Sequence, residues 1–331
     1  MNSKKPILIA TRGSALALAQ ANWVLAECRK KFPKLQFSLE ILKTTGDKLQ
    51  KASMARINSN LPRGLFTKEL EVALLSGRAD LAVHSLKDLP TELPAGLKLG
   101  AVAKRVDVRD VLIYRDVNFL KAQPGQNIRR GLKPKSTLKD FPKGATVATS
   151  STRRKAQLLA LRPDLNVVEI RGNVATRLQK LADKSELDAT ILAAAGLGRL
   201  HFKITAAGKL KGDGVPAGLL ATILDVEQML PCVGQAAIGI EIREDDERIS
   251  KICQGLNHDQ SFQCVTAERA FLHAMGGGCQ SPVGAYAEVI GKQIRLRAVS
   301  FLGKKVQRAQ AMRPLKEAIE LGKQIAAKFR S

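Results

Sequence analysis

The sequence predicts an α/β protein, on three observations. Short apolar runs alternate with stretches of helical length over most of the 331 residues, the pattern of βαβ units with mainly parallel sheets. One design occurs twice: an apolar strand, a turn rich in hydroxyl groups, and an arginine near the start of a helix, so the chain reads as two similar halves. Beyond Asp259 the pattern changes to a helix, a glycine loop, three strands and a final helix. The length accommodates two or three domains of ordinary size.

The first strand, residues 7–10, is followed by Thr11-Arg12-Gly13-Ser14 and an alanine- and leucine-rich helix to about Lys31. This geometry aims backbone N–H groups at an anion. Arg12 and Ser14 stand at that mouth, and Ser14 equally suits a helix cap. A second strand spans 37–42. Residues 50–63 have no period and read as a loop; Gly64-Leu65-Phe66 then leads into a helix over 67–76. The third strand, 79–84, runs into Ser85-Leu86-Lys87-Asp88-Leu89-Pro90. Ligand crevices of α/β sheets lie beyond the carboxyl ends of strands. Ser85, Lys87 and Asp88 are therefore candidate site residues, although a Lys-Asp pair also suits a solvated turn.

A strand at 111–114 precedes a basic run, 116–143, that reads as an exposed insertion or linker. The strand 145–149 opens onto Ser150-Ser151-Thr152-Arg153-Arg154 and a helix through Leu161. Residues 166–170 form a strand ending at Arg171-Gly172-Asn173, before a helix carrying Arg177. The strand 189–194 leads to Arg199. Residues 201–230, interrupted by four glycines, read as irregular, and 233–242 return to a strand pattern. A helix over 265–275 then gives way to Met275-Gly276-Gly277-Gly278-Cys279-Gln280-Ser281-Pro282. Three consecutive glycines favour neither helix nor strand, and they hold Cys279 on a loop that can approach another surface. Taken alone, the thiol also fits an incidental buried cysteine. A strand over 283–289, turns near Gly291 and Gly303, and a helix from Pro314 complete the chain.

The net charge is +24, concentrated in residues 104–154 (thirteen Lys/Arg against four Asp/Glu) and 291–331 (eleven against two). Such a field favours nucleic acid, a membrane surface or a polycarboxylate without choosing among them. Aromatic residues are 4% of the chain, too few for base-stacking platforms. Apolar runs are too short for a membrane span, and the N-terminus lacks a signal-type apolar core, so a cytoplasmic protein is expected. Five cysteines without a Cys-x-x-Cys pair suggest neither zinc nor dithiol chemistry. Nucleotide-binding glycine motifs and a Ser/His/Asp set are also missing, and four scattered histidines suggest no metal.

Arg12, Arg153, Arg154, Arg171, Arg177 and Arg199 all fall at strand ends or helix starts. Converging on one cleft, they would bind a substrate with many carboxylates, because guanidinium pairs bidentately with carboxylate. Asp88 would then be the carboxylate placed for proton transfer or for facing a developing cation.

Thr11-Arg12-Gly13-Ser14-Ala15-Leu16-Ala17, Gly64-Leu65-Phe66-Thr67-Lys68-Glu69-Leu70-Glu71, His84-Ser85-Leu86-Lys87-Asp88-Leu89-Pro90, Ser150-Ser151-Thr152-Arg153-Arg154, Arg171-Gly172-Asn173-Val174-Ala175-Thr176-Arg177-Leu178 and Gly277-Gly278-Cys279-Gln280 resemble the porphobilinogen deaminase family. They occur in that family's order across nearly the whole chain. The resemblance implies three domains, the first two similar to type II periplasmic binding proteins and the third a small α+β domain with a three-stranded sheet. The expected boundaries are 1–103 plus 237–254, 104–236, and 255–331.

The implied activity is condensation of four porphobilinogen molecules, each losing ammonia, into linear hydroxymethylbilane for tetrapyrrole and haem synthesis. The resemblance places a dipyrromethane cofactor on Cys279 through a thioether, as the primer for chain growth. It makes Asp88 catalytic, acting on pyrrole nitrogens and the departing amine. Ser85, Lys87, Asp88, Ser151, Arg153, Arg154 and Arg171 are expected against the cofactor. Arg12, Ser14, Phe66, Arg177 and Arg199 are expected against the substrate. No metal, nucleic acid or membrane partner is implied, and a monomer is expected. Two departures stand out: Ser59 and Arg63 fall where lid lysines are expected, and the basic segments 116–143 and 201–230 are long for the family.

Overall fold

The structure, a computed structural model, describes residues 5–44, 67–122, 130–278, 280–303 and 305–329. Ser59, Arg63, Phe66 and Cys279 lie outside the described residues.

The first sheet begins with β1 (Ile7–Arg12), followed by helix α1 (Ala15–Lys31), β2 (Phe37–Leu42), α2 (Lys68–Leu75), β3 (Leu81–Ser85) and β4 (Leu97–Val102). A single turn of 3-10 helix, Leu86–Asp88, follows β3 directly. The chain then leaves to build the second sheet from β5 (Asp110–Arg115), α3 (Val117–Lys121), β6 (Thr146–Ala148), α4 (Thr152–Leu161) and β7 (Asn166–Val168). That unit continues with α5 (Val174–Asp183), β8 (Ala189–Ala193), α6 (Ala194–Arg199), a hairpin of β9 (Lys203–Ile204) and β10 (Leu210–Lys211), and β11 (Leu219–Leu224). It returns to the first sheet as β12 (Ile238–Arg243). Helices α7 (Glu247–Leu256) and α8 (Asp259–Ala274) lead to β13 (Val283–Ile290), β14 (Gln293–Ser300), β15 (Gln307–Pro314) and α9 (Ala318–Ala327).

The sheet orders are β2-β1-β3-β12-β4 and β11-β5-β8-β6-β7. In each, three neighbouring strands are parallel and the next, β12 or β5, runs antiparallel to both its neighbours. The two halves thus share one topology, as the recurring strand–turn–arginine design suggested. A third sheet, β13-β14-β15, is antiparallel.

The buried faces follow the sequence pattern. Ile7 and Ile9 of β1, Val24 and Cys28 of α1, and Ile249 and Ile252 of α7 form one core of the first sheet. The second sheet is covered on both faces, Val111 and Ile113 packing to one side and Leu112 and Tyr114 to the other. Leu296 of β14, Phe271 of α8 and Leu321 of α9 close the third core.

Several expected bounds are corrected. The segment 116–143 is no free linker: Leu138 and Phe141 are buried, with the Phe141 ring edge-on to Tyr114 at 5.8 Å. Residues 201–230 contain three strands, and β11, a run of six mostly apolar residues, pairs with β5 along its full length. The strand expected from 233 starts at Ile238, because Gly234 and Ala236 both take left-handed φ of 70°. Helix α8 begins at Asp259, capped by the His258 ring nitrogen, which accepts from Ser261 N at 3.2 Å. Pro314 ends β15 instead of opening the last helix.

Candidate active site

The glycines before Cys279 have separate causes. Gly276 sits at φ 66° just past α8; its N–H donates to His273 O at 2.9 Å, and Gly277 N–H donates to Leu272 O at 3.1 Å. This is a Schellman ending, which favours glycine at the left-handed residue. A side chain at Gly277 would meet Ser281 Oγ at 2.7 Å and Leu272 Cδ1 at 2.9 Å. At Gly278 no atom of the described residues beyond its chain neighbours lies within 4 Å of a Cβ position. Its N–H donates to Ser281 Oγ at 3.0 Å, and Ser281 N–H returns to Gly278 O at 2.9 Å. From α4, Thr152 Oγ1 donates to Gln280 O at 2.6 Å. The backbone on both sides of residue 279 is therefore braced.

Three of the other thiols are unsuited to nucleophilic work. Burial pushes Cys28 up to about 11 and Cys253 and Cys264 up to about 12, and the thiolate is the reactive form. Cys232 is half-buried, with its Sγ 3.4 Å from Gln235 Oε1.

Helix α4 carries the densest charge. Ser151 caps it, its Oγ accepting from Arg154 N at 3.4 Å. Arg153 and Arg154 are both buried and share one buried carboxylate. Arg153 Nη2 lies 2.8 Å from Asp110 Oδ2, and Arg154 Nη2 lies 2.7 Å from Asp110 Oδ1. Their Nη1 groups donate to Leu230 O and Ile191 O, and Gln235 Nε2 adds a third donor to Asp110 at 3.0 Å. Burial acts to raise the Asp110 pKa. The charges and hydrogen bonds of the two guanidiniums outweigh it, holding the carboxyl well below the usual carboxylate range. Among the described residues, neither Arg153 Nε nor Arg154 Nε, both buried, has a hydrogen-bond partner.

Two further arginines have no ion-pair partner among the described residues. Arg177 Nε donates to Gly172 O at 2.8 Å; burial, and then the charge of Arg154, push its pKa down to about 10, partly opposed by Asp88. Arg199 donates to Gln20 Oε1 at 3.1 Å and Ala236 O at 2.6 Å, and burial pushes it down to about 10 as well. Among the described residues neither has a carboxylate within ion-pair distance. Gln20 continues this link to the first sheet, its Nε2 2.9 Å from Ser85 Oγ.

Asp88 is exposed at the end of the 3-10 turn after β3. The turn is fixed from three sides. Leu86 N–H donates to Ala237 O at 3.0 Å, and Arg269 of α8 donates to Leu89 O at 3.1 Å and Pro90 O at 2.6 Å. Beneath it, His84 Nε2 lies 2.9 Å from Glu241 Oε2, both buried. A rigid turn thus presents one carboxylate within electrostatic reach of the desolvated Arg177.

Residues 7–251 match the family model for "Porphobilinogen deaminase, dipyromethane cofactor binding domain", and residues 262–331 match "Porphobilinogen deaminase, C-terminal domain". The chain belongs to the porphobilinogen deaminase family.

The porphobilinogen deaminase of Desulforamulus reducens is 41% identical over 328 residues, covering 98% of this chain and 94% of that one. That of Geotalea uraniireducens is 41% identical, covering 96% and 89%. That of Chloroherpeton thalassium is 44% identical, covering 86% and 80%. The periplasmic aliphatic sulphonate binding protein SsuA of Escherichia coli overlays on 83% of this chain and 76% of its own, at TM-score 0.38 and 12% identity.

A deaminase with a dipyrromethane cofactor needs sites for carboxylate side chains, and the residues present fit that group. Among the described residues, two guanidinium Nε atoms without partners and two desolvated arginines without ion pairs are groups a carboxylate ligand would complete. The other expected residues stand nearer the surface. Ser14 Oγ accepts from Ala17 N at 3.3 Å as the cap of α1, and Arg12 is half-buried at the end of β1. Arg171 is exposed and paired with Glu169 at 3.1 Å. Lys87 is half-buried beside Asp88.

Sequence reasoning missed Asp110, Gln20, Thr152 and the Arg105–Glu268 pair. Arg105 Nη1 lies 2.6 Å from Glu268 Oε1, joining the connection between the first two sheets to α8. Glu268 also accepts from Gly234 N and Ala287 N, both at 2.8 Å.

Proposed function

We propose that this chain is a hydroxymethylbilane synthase, a transferase that condenses four porphobilinogen molecules stepwise and releases one ammonia for each. The observation that carries the proposal is the carboxylate of Asp88 within electrostatic reach of the desolvated Arg177, which, like Arg199, has no ion-pair carboxylate among the described residues. When bound, dipyrromethane supplies the electron-rich pyrrole terminus onto which units are added. Cys279 holds it; burial of Cys28, Cys253 and Cys264 leaves few alternatives among the cysteines.

Each chain residue then has a task. Arg153, Arg154, Arg177 and Arg199, with Arg12, Arg171 and Lys87, bind acetate and propionate groups, and every added unit brings two more. Ser85 and Ser151 supply hydrogen bonds, Ser14 stands at the mouth of α1, and Phe66 stacks on a pyrrole. Asp88 accepts a pyrrole N–H and faces the cation-like carbon that forms as the amine departs, where a fixed anion stabilises the transition state. A covalent tether makes successive additions intramolecular.

The proposal divides the chain into three domains, 1–103 with 237–254, 104–236 and 255–331, supported by the return of β12 to the first sheet. It also places the protein in the cytoplasm as a monomer, which gel filtration tests. Incubation with porphobilinogen should release four ammonia per hydroxymethylbilane, and Asp88→Asn should still bind substrate while turnover falls about a hundredfold. No ammonia release from the native protein would overturn the proposal.

A further inference from the structure

The loop around Cys279 is tied to the cationic wall by a hydroxyl with no part in the chemistry above. Thr152 is the first residue of α4, whose cap is already supplied by Ser151. Its own side chain is therefore free to point elsewhere, and Thr152 Oγ1 donates to Gln280 O at 2.6 Å across 128 residues of sequence. Gln280 follows Cys279 directly. Within the loop, Ser281 closes the backbone on Gly278 through both its Oγ and its N–H. The next two residues of α4 are the buried Arg153 and Arg154. One short stretch thus grips the loop and carries the guanidiniums against which a tethered chain would lie.

We propose that Thr152 is a positioning residue for elongation: by holding Gln280 O it fixes where the Cys279 tether enters the arginine-lined site. The inference rests on Cys279 being the tether. An intramolecular addition is fast only while the reacting ends stay aligned, and a loop released from α4 samples misaligned positions. Free porphobilinogen is held by the arginines and Asp88, so losing the Thr152 bond acts on kcat and leaves KM alone. One hydrogen bond of ordinary strength corresponds to about fivefold in rate. Thr152 is exposed, and valine matches its shape, so the fold does not depend on the substitution.

The test compares holoenzyme forms of the native protein, Thr152→Val and Thr152→Ser by intact mass, kcat and KM for porphobilinogen. Thr152→Val should carry the full cofactor mass, keep KM within about twofold, and lose about fivefold in kcat; Thr152→Ser, which keeps the donor, should recover most of it. A native kcat in Thr152→Val, an equal loss in Thr152→Ser, or a loss confined to KM would overturn the inference. A native protein without the added mass would instead remove the tether reading itself, so the two failures are distinguishable.

Discussion

Asp110 Oδ1 accepts a hydrogen bond from Arg154 Nη2 at 2.7 Å in a site closed to solvent, while its other oxygen holds Arg153. One carboxylate thus orders two cations and leaves the cluster with one positive charge in excess. Asp110→Asn should destabilise the protein by about 3–5 kcal/mol at pH 7, since it leaves buried charge unpaired. The Asp110 pKa is depressed in the folded state, so its contribution is present above the unfolded carboxylate value and lost as pH falls through the folded one. Chemical denaturation should therefore show the gap between native and variant narrowing below about pH 4.

Arg177 shows the opposite balance, a desolvated cation without an ion pair among the described residues. Arg177→Met should raise the stability of the cofactor-free protein by about 1 kcal/mol while raising KM for porphobilinogen about tenfold or more. Calorimetry and steady-state kinetics read the two effects separately. A variant that loses stability and keeps its KM would place Arg177 in the scaffold instead.

The loop glycines should respond unequally. Gly276→Ala puts a Cβ on a left-handed residue and should cost about 1 kcal/mol in thermal unfolding. Gly278→Ala, which meets no other atom of the described residues within 4 Å, should leave the melting temperature unchanged.

A buried acidic cluster lies below the Asp88 turn. Glu71 of α2 has Oε1 buried without a partner, and burial raises its pKa; a Thr67 hydrogen bond opposes this, and the Glu241 charge adds to it. A raised carboxylate favours folding at low pH and loses that contribution as pH rises through its folded value. Glu71→Gln should thus raise the melting temperature by about 2 °C at pH 8. The difference should close as the pH is lowered into the carboxylate range.

The motifs that were legible in the sequence are local ones. Strand, hydroxyl turn and arginine can be read in order at Arg12 and at Arg153, because each is fixed by neighbours within one βα unit. Asp110 was not legible. It opens a strand directly after Arg109, and its partners lie 43 and 44 residues away. Gln20 looks like any polar residue of an alanine-rich helix until Ser85, at the end of β3, and Arg199, at the end of α6, close on it. The glycine run stands out in the sequence, but its causes lie in the helix ending and the Ser281 contact. In 201–230 the glycines concealed β11, whose pairing with β5 overrides the local signal.

The central claim is that Cys279 tethers a dipyrromethane primer, and intact-protein mass spectrometry tests it most directly. The native protein should exceed its sequence mass by one covalently attached dipyrromethane, and Cys279→Ser should run at its sequence mass without activity. A native protein at the bare sequence mass that still turns over porphobilinogen, or an active Cys279→Ser, would contradict it.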